Sequence, residues 1–255
     1  MFMNWAAKRQ LFYFLIFFLI IAGIGGLFAI KITAPTCDDD KQNQNEEGVD
    51  CGGSCSKMCL GDIKDLVSIW VRPLKVENGN YDVVAMVENR NLSLVSEAIK
   101  YQFKLYDKNN VLVAVKSGQT FAPPGQKFAI FESNIDTGRR EPIKAFIEFE
   151  KDIKWDINRD DKLSIIVTNK EYNDDRFPKL SATLANKSIQ DAKGVWATAI
   201  IYNFNGNAIA VSATRLEVLE AGNSSDVYFT WPYDFEDDVD SVELIISIEP
   251  SSFNP

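Results

Sequence analysis

Residues 11–30 form an uncharged apolar run, with Lys8 and Arg9 before it and Lys31 after it. Twenty helical residues at about 1.5 Å each reach roughly 30 Å, the thickness of a bilayer's hydrocarbon core. A cleaved signal peptide would carry an apolar region of about 7–15 residues ending in a small-x-small site. This run is longer, residues 30–36 offer a poor cleavage pattern, and Ala34, Pro35 and Thr36 before Cys37 do not suit a lipoprotein signal. The sequence therefore predicts an uncleaved single-pass signal anchor in the cell membrane: residues 1–10 a cytoplasmic stub and residues 11–30 a transmembrane helix. Lys8 and Arg9 place the N-terminus in the cytoplasm and the C-terminal ectodomain on the extracytoplasmic side. Ala22 and Gly26 share one helical face that would admit a second helix, although small residues are common in membrane spans.

The ectodomain is acidic. Lys8, Arg9 and Lys31 are the only charged residues before position 32, so 24 Lys+Arg face 36 Asp+Glu beyond it. A surface with that balance is soluble and argues against nucleic acid as a partner. No histidine occurs. That excludes Ser-His-Asp and Cys-His nucleophilic sites and the common His-based metal sites. Carboxylate-only chemistry, as in glycosidases, is the one enzyme class left open.

All four cysteines, Cys37, Cys51, Cys55 and Cys59, lie within a segment of almost no apolar content. Outside a membrane they are most simply two disulfides, with three pairings open. A four-cysteine zinc site usually needs two short hooks, and Cys37 stands alone. Residues 31–61 thus form an acidic, disulfide-linked stalk. Asp39, Asn43, Asn45, Glu46 and Asp50 are candidate calcium ligands, since calcium takes 6–8 oxygens. The spacing is not that of an EF-hand, and a solvated acidic linker is the plainer reading. No other cofactor is called for.

Asp39, Asn43, Glu46, Asp50, Cys51, Gly52, Gly53 and Cys55 are in register with the pattern C-x-D-G-x-x-N-x-x-E-x-x-x-D-C-G-G-x-C. The segment therefore resembles the short cysteine modules of many microbial surface proteins. Asp40 replaces the usual glycine, and the gap from Cys55 to Cys59 is one residue longer. The resemblance implies a surface location and no activity.

From residue 62 onward, short runs of Val, Ile, Phe, Tyr and Trp alternate with polar residues and are broken by Asn, Gly, Asp and Pro. The chain also repeats at about 96 residues. Asn89 corresponds to Asn186, Tyr106 to Tyr202, Gly125 to Gly222, and residues 143–150 to 242–249. The fold class is all-β: two tandem immunoglobulin-like β-sandwich domains of seven strands behind the transmembrane helix. The first spans residues 62–152 and the second 162–255. Residues 153–161, with Asp156, Asp160 and Asp161, read as a polar linker. The whole reads as a two-domain rod on a stiffened neck.

Phe103-Lys104-Leu105-Tyr106-Asp107, with Asn109-Asn110 as the following turn, resembles the FxLYD family of extracytoplasmic β-sandwich domains. In the second copy Ala199 stands for Phe and Asn203 for Asp, so its membership rests mainly on the repeat. Alternation alone assigns Phe103 and Leu105 to a core, and Asp107 to capping the turn's backbone amides.

Other clusters carry plainer readings. Asp234, Glu236, Asp237, Asp238 and Asp240 read as a solvated turn. Trp70, Trp155, Trp196 and Trp231 could line a sugar platform, with the corner Trp231-Pro232-Tyr233 partly exposed, but sandwich tryptophans more often plug cores. The sequons at Asn91, Asn186 and Asn223 matter only in a eukaryotic secretory pathway. The sequence thus points to a non-catalytic binding or scaffolding protein of the cell envelope that engages a protein partner. Calcium-dependent adhesion or binding of cell-wall carbohydrate is the alternative.

Overall fold

A computed structural model describes residues 5–31, 37–43, 45–46, 48–53, 55, 59, 63–77, 79–158, 163–174 and 177–250. The linker acids Asp160 and Asp161 and the stretch just before Cys37 lie outside these residues. The chain divides into two compact units, residues 1–62 and 63–255.

In the first unit, α1 (Trp5–Lys31) is a helix of 27 residues with no acidic residue in its first turn. Its described side chains show no buried face: Phe12, Phe14, Phe18 and Leu19 are all exposed. Among the described residues no helix is long and apolar enough to cross a membrane. Within α1 the described side chains run unbroken only over 9–24. The cysteines pair as Cys37–Cys55 and Cys51–Cys59.

The second unit is all-β and sandwich-like. Its strands are β1 (Val67–Glu77), β2 (Asn80–Glu88), β3 (Leu94–Tyr106), β4 (Leu112–Ala122), β5 (Lys127–Asp136) and β6 (Lys144–Phe149), then the short β7 (Asp156–Ile157). They continue as β8 (Ile165–Asn173), β9 (Lys179–Asn186), β10 (Ala192–Asn203), β11 (Ala208–Leu219), β12 (Ser224–Thr230) and β13 (Val239–Ile248). All pairings are antiparallel. Sheet β1-β2-β5 faces sheet β4-β3-β6, and sheet β8-β9-β12 faces β11-β10-β13, so one connectivity occurs twice. Seven strands per copy are expected from the length; among the described residues the second copy has six and the first has six plus the two-residue β7, which pairs with β3. The residues go into long strands instead, with 13 in β3 and 12 in β10.

Period-2 alternation fills each core. Val83, Ala85, Val87, Phe103, Leu105, Phe128 and Ile130 cluster in the first sandwich. Leu180, Leu184, Ala199, Ile201, Val227, Phe229 and Trp231 cluster in the second. A third apolar cluster joins them: Leu74, Val84 and Met86 meet Ile200, Ala208 and Val211, with Trp70, Phe131, Tyr202 and Ile245 at its margin. The outer face of sheet β1-β2-β5 therefore packs on the outer face of sheet β11-β10-β13. β2 and β10 are buried on both sides. The rod expected from the sequence gives way to sheet-on-sheet packing, because the side chains facing away from each core are themselves apolar on these two sheets.

Ile200 is fully buried in this shared cluster. Truncation there removes buried methyl groups and leaves a cavity. Ile200→Ala is expected to lower the unfolding free energy by about 2–4 kcal/mol in urea titrations. A loss below about 1 kcal/mol would show that the contact between the sandwiches contributes little.

Candidate binding surfaces

The motif residues of the two copies occupy equivalent positions and do equivalent structural work. Phe103 and Leu105 are fully buried. Asp107 Oδ1 accepts the backbone N–H groups of Asn109 and Val111, each at 2.9 Å. In the second copy Asn203 Oδ1 accepts those of Asn205 at 3.1 Å and Asn207 at 2.9 Å. Asn203 adds what an aspartate cannot: its Nδ2 donates to Asp237 Oδ2 at 2.7 Å. Tyr106 meets the Phe146 ring edge-on. Tyr202 meets Trp70 of the other sandwich edge-on at 6.4 Å and donates to Glu243 Oε2 at 2.9 Å. Burial and that carboxylate hold the Tyr202 hydroxyl well above its ordinary pKa.

The sequence matches Asn89 to Asn186 across the repeat but assigns the pair no role in the fold, yet their hydrogen bonds correspond one for one. Asn89 Nδ2 donates to the carbonyls of Leu94 and Pro123, and its Oδ1 accepts the Asn91 N–H. Asn186 Nδ2 donates to those of Gln190 and Leu219, and its Oδ1 accepts the Ser188 N–H. Each amide closes a loop that a buried backbone would otherwise leave unpaired. Asn91 and Asn186 are buried, so neither side chain is presented for glycosylation.

In the cysteine module the carboxylates of Asp39, Glu46 and Asp50 bond the loop itself. Asp50 accepts the backbone N–H groups of Asp39 at 2.9 Å and Asp40 at 2.8 Å. Glu46 Oε2 accepts that of Asn43 at 2.9 Å, and Asn43 Nδ2 donates to Asp39 Oδ2 at 2.9 Å. Asn43 Oδ1 is buried without a partner, and Asn45 is exposed. Among the described residues, the one group of ligand-type atoms close enough to share an ion is Cys37, Glu46 and Cys55, and both sulfurs are in the disulfide. Asp40 has φ +55°, which accounts for the glycine usual at that place. Gly53 is also left-handed, and a side chain there would collide with the Asn45 carbonyl.

Two clefts flank the shared cluster. The larger, about 730 Å³, is lined by β1 (Arg72, Leu74, Lys75), Ile143 and the start of β6 (Lys144, Phe146), the β10–β11 hairpin and residues 233–237. Lys75 Nζ reaches Glu236 Oε1 at 3.2 Å across the sandwiches. Arg72 and Lys144 make no ion pair among the described residues, and Lys144 Nζ donates to Asn110 Oδ1. Tyr233 is pushed up to about 12 by burial and by the Asp82 charge. Asp82 itself is raised by burial, against the hydrogen bond its Oδ1 accepts from the Asn134 N–H. The acidic run Asp234, Glu236, Asp237, Asp238 and Asp240 is exposed throughout, with Glu236 reaching Lys75 and Asp237 accepting from Asn203.

The second cleft, about 410 Å³, holds Phe121, Phe131, Trp196 and Glu249. Trp196 Nε1 donates to Glu249 Oε1 at 2.8 Å, and Arg215 lies over the Trp196 ring and bonds Glu249. Hydrogen bonds from Arg215 and Trp196 hold Glu249 below its ordinary pKa against desolvation. The tryptophans do not form a platform. Trp231 is only 2% exposed and donates to the Val211 carbonyl, correcting the exposed corner expected from its Pro-Tyr neighbours. Trp70 packs between the sandwiches and Trp155 against the first core.

No family model and no curated protein matches the chain. Among solved structures 57 chains match. One is described as the crystal structure of red sea bream transglutaminase, at 10% identity and a TM-score of 0.25. The match covers 74% of this chain and 30% of that one. This chain therefore spans less than a third of that protein, and a superposition of that quality carries no argument.

The Asn203–Asp237 bond separates the two copies chemically. Asn203→Asp keeps the turn caps but sets two carboxylates against each other and removes a donor. It is expected to cost about 1–3 kcal/mol at pH 7 in chemical denaturation, and less at pH 3.5, where protonation relieves the repulsion. An equal cost at both pH values would count against this account of the asparagine.

Proposed function

We propose that this chain is a membrane-anchored, extracytoplasmic binding or scaffolding protein of the cell envelope, non-catalytic, which engages a protein partner. The observation that carries this reading is the cleft of about 730 Å³ built from segments of both sandwiches. The shared apolar cluster holds its walls together. Clefts at such joints are common ligand positions. Arg72 and Lys144, which make no ion pair among the described residues, line the cleft together with Asp234, Glu236, Phe146 and Phe235. A surface mixing both charges with aromatic rings suits a polypeptide better than a single small ion.

The remaining parts agree with it. From Leu11 to Ile24 the α1 side chains are uncharged and exposed, and the anchor reading rests on that sequence run. Two disulfides are compatible with an oxidising compartment. Three groups with displaced pKa values close structural contacts: Asp82 on Asn134, Tyr202 on Glu243, Glu249 on Arg215. That is the pattern of a scaffold, not of an acid–base pair aimed at a substrate. The buried Phe103 and Leu105 and the Asp107 cap are what an FxLYD-type, immunoglobulin-like sandwich would require.

The test is chemical cross-linking of the full chain in its native membrane, comparing the wild type with Arg72→Glu/Lys144→Glu. The expected result is stoichiometric recovery of one envelope protein, reduced at least tenfold in the variant. Recovery of wall polysaccharide, or of a partner insensitive to the two substitutions, would overturn the reading and favour adhesion.

A further inference from the structure

The shared apolar cluster between the sandwiches stops short at one end. On the outward side of β10, Ile200 beside Val211 fills the joint. Two residues along stands Thr198 beside Ala213, and two further Trp196 beside Ser247. Thr198, Ala213 and Ser247 are shorter than the Ile200 and Val211 they continue, and the cleft of about 410 Å³ opens beside them. It shares no lining residue with the larger cleft. Its volume is that of a small-molecule pocket. Two features of the lining point to a ligand. Thr198 and Ser247 are each 6% exposed, yet neither hydroxyl makes a hydrogen bond among the described residues. Buried polar groups are ordinarily paired. The second feature is charge: Glu97 and Glu249 line the cleft, and no lysine or arginine does.

We propose that this cleft binds a small organic amine, a primary ammonium carried on an apolar body. Glu249 is held by Arg215 and Trp196, and Arg215 is neutralised in turn by Glu249 and Glu217. The exposed Glu97 makes no ion pair among the described residues, so the uncompensated charge of the lining is negative. An anion is therefore disfavoured. Phe121, Phe131 and Trp196 supply apolar surface for the body, and ring faces also attract a cation. Arg215 already lies over the Trp196 ring, 6.0 Å from its centre, so that ring accepts a cation within the chain. A primary ammonium has three donors and no acceptor. The unpartnered acceptors of Thr198, Ser247 and Glu97 suit it better than they suit a carboxylate. This site is independent of the cleft assigned to the protein partner.

Titration calorimetry of the full chain in detergent micelles tests this, with phenethylamine, neutral phenethyl alcohol and anionic phenylpropanoate as probes. Ala213→Leu fills the cleft beside Thr198 and so separates binding from uptake by the micelle. The expected result is saturable binding of phenethylamine, at least tenfold tighter than of either other probe, and lost in Ala213→Leu. Glu97→Gln, an exposed change that should leave the melting temperature within a few degrees, should weaken it at least fivefold. Thr198→Val/Ser247→Ala should weaken it as well. Absence of saturable binding, equal affinity for the three probes, or binding of the amine unchanged in Glu97→Gln would overturn the proposal.

Discussion

Burial of β2 and β10 on both faces is the constraint on which the rest of the second unit depends. A three-stranded sheet normally commits one face to a core and leaves the other to water. Here Val83, Ala85 and Val87 serve the first core while Val84 and Met86, between them, serve the shared cluster. Ala199 and Ile201 serve the second core while Ile200 serves the shared cluster. Sheets pack face to face at about 10 Å and at interior density. The two sandwiches are thus held by side chains, and the clefts beside the joint inherit fixed walls.

The two copies have diverged where their surroundings differ. Phe103 and Phe128 fill the first core. Ala199 and Ser225 hold the corresponding places in the second, as the pairings of Val87 with Phe128 and Leu184 with Ser225 show. Volume returns there through Phe229 and Trp231. On the outer faces Lys104 becomes Ile200 and Met86 becomes Thr183, each change matching whether the face is covered. The turn caps, which depend only on local backbone, are retained as Asp107 and Asn203.

Much of this was legible in the sequence because it is local. Alternation marked the strands, the repeat marked the two copies, and Asp107 was read as a turn cap from its place at a strand end. The contact between the sandwiches was written less plainly. Residues 83–87 and 199–201 are unbroken apolar runs where a half-exposed strand would alternate, which is the mark of burial on both sides. The cleft left no signal, since Arg72, Lys144 and Asp234 are brought together only by packing. Disulfide pairing was open because four cysteines permit three arrangements. Trp231 misled because its Pro-Tyr neighbours suggest a surface turn, whereas its ring is buried in the second core.

Native-state hydrogen exchange on the full chain tests the shared core most directly. If the two sandwiches stand or fall together, the β2 and β10 amides exchange only through one common opening, with the same free energy and the same dependence on denaturant. Exchange of β10 through an opening that leaves β2 protected, with a distinctly smaller denaturant dependence, would contradict the account and return the sandwiches to independent domains.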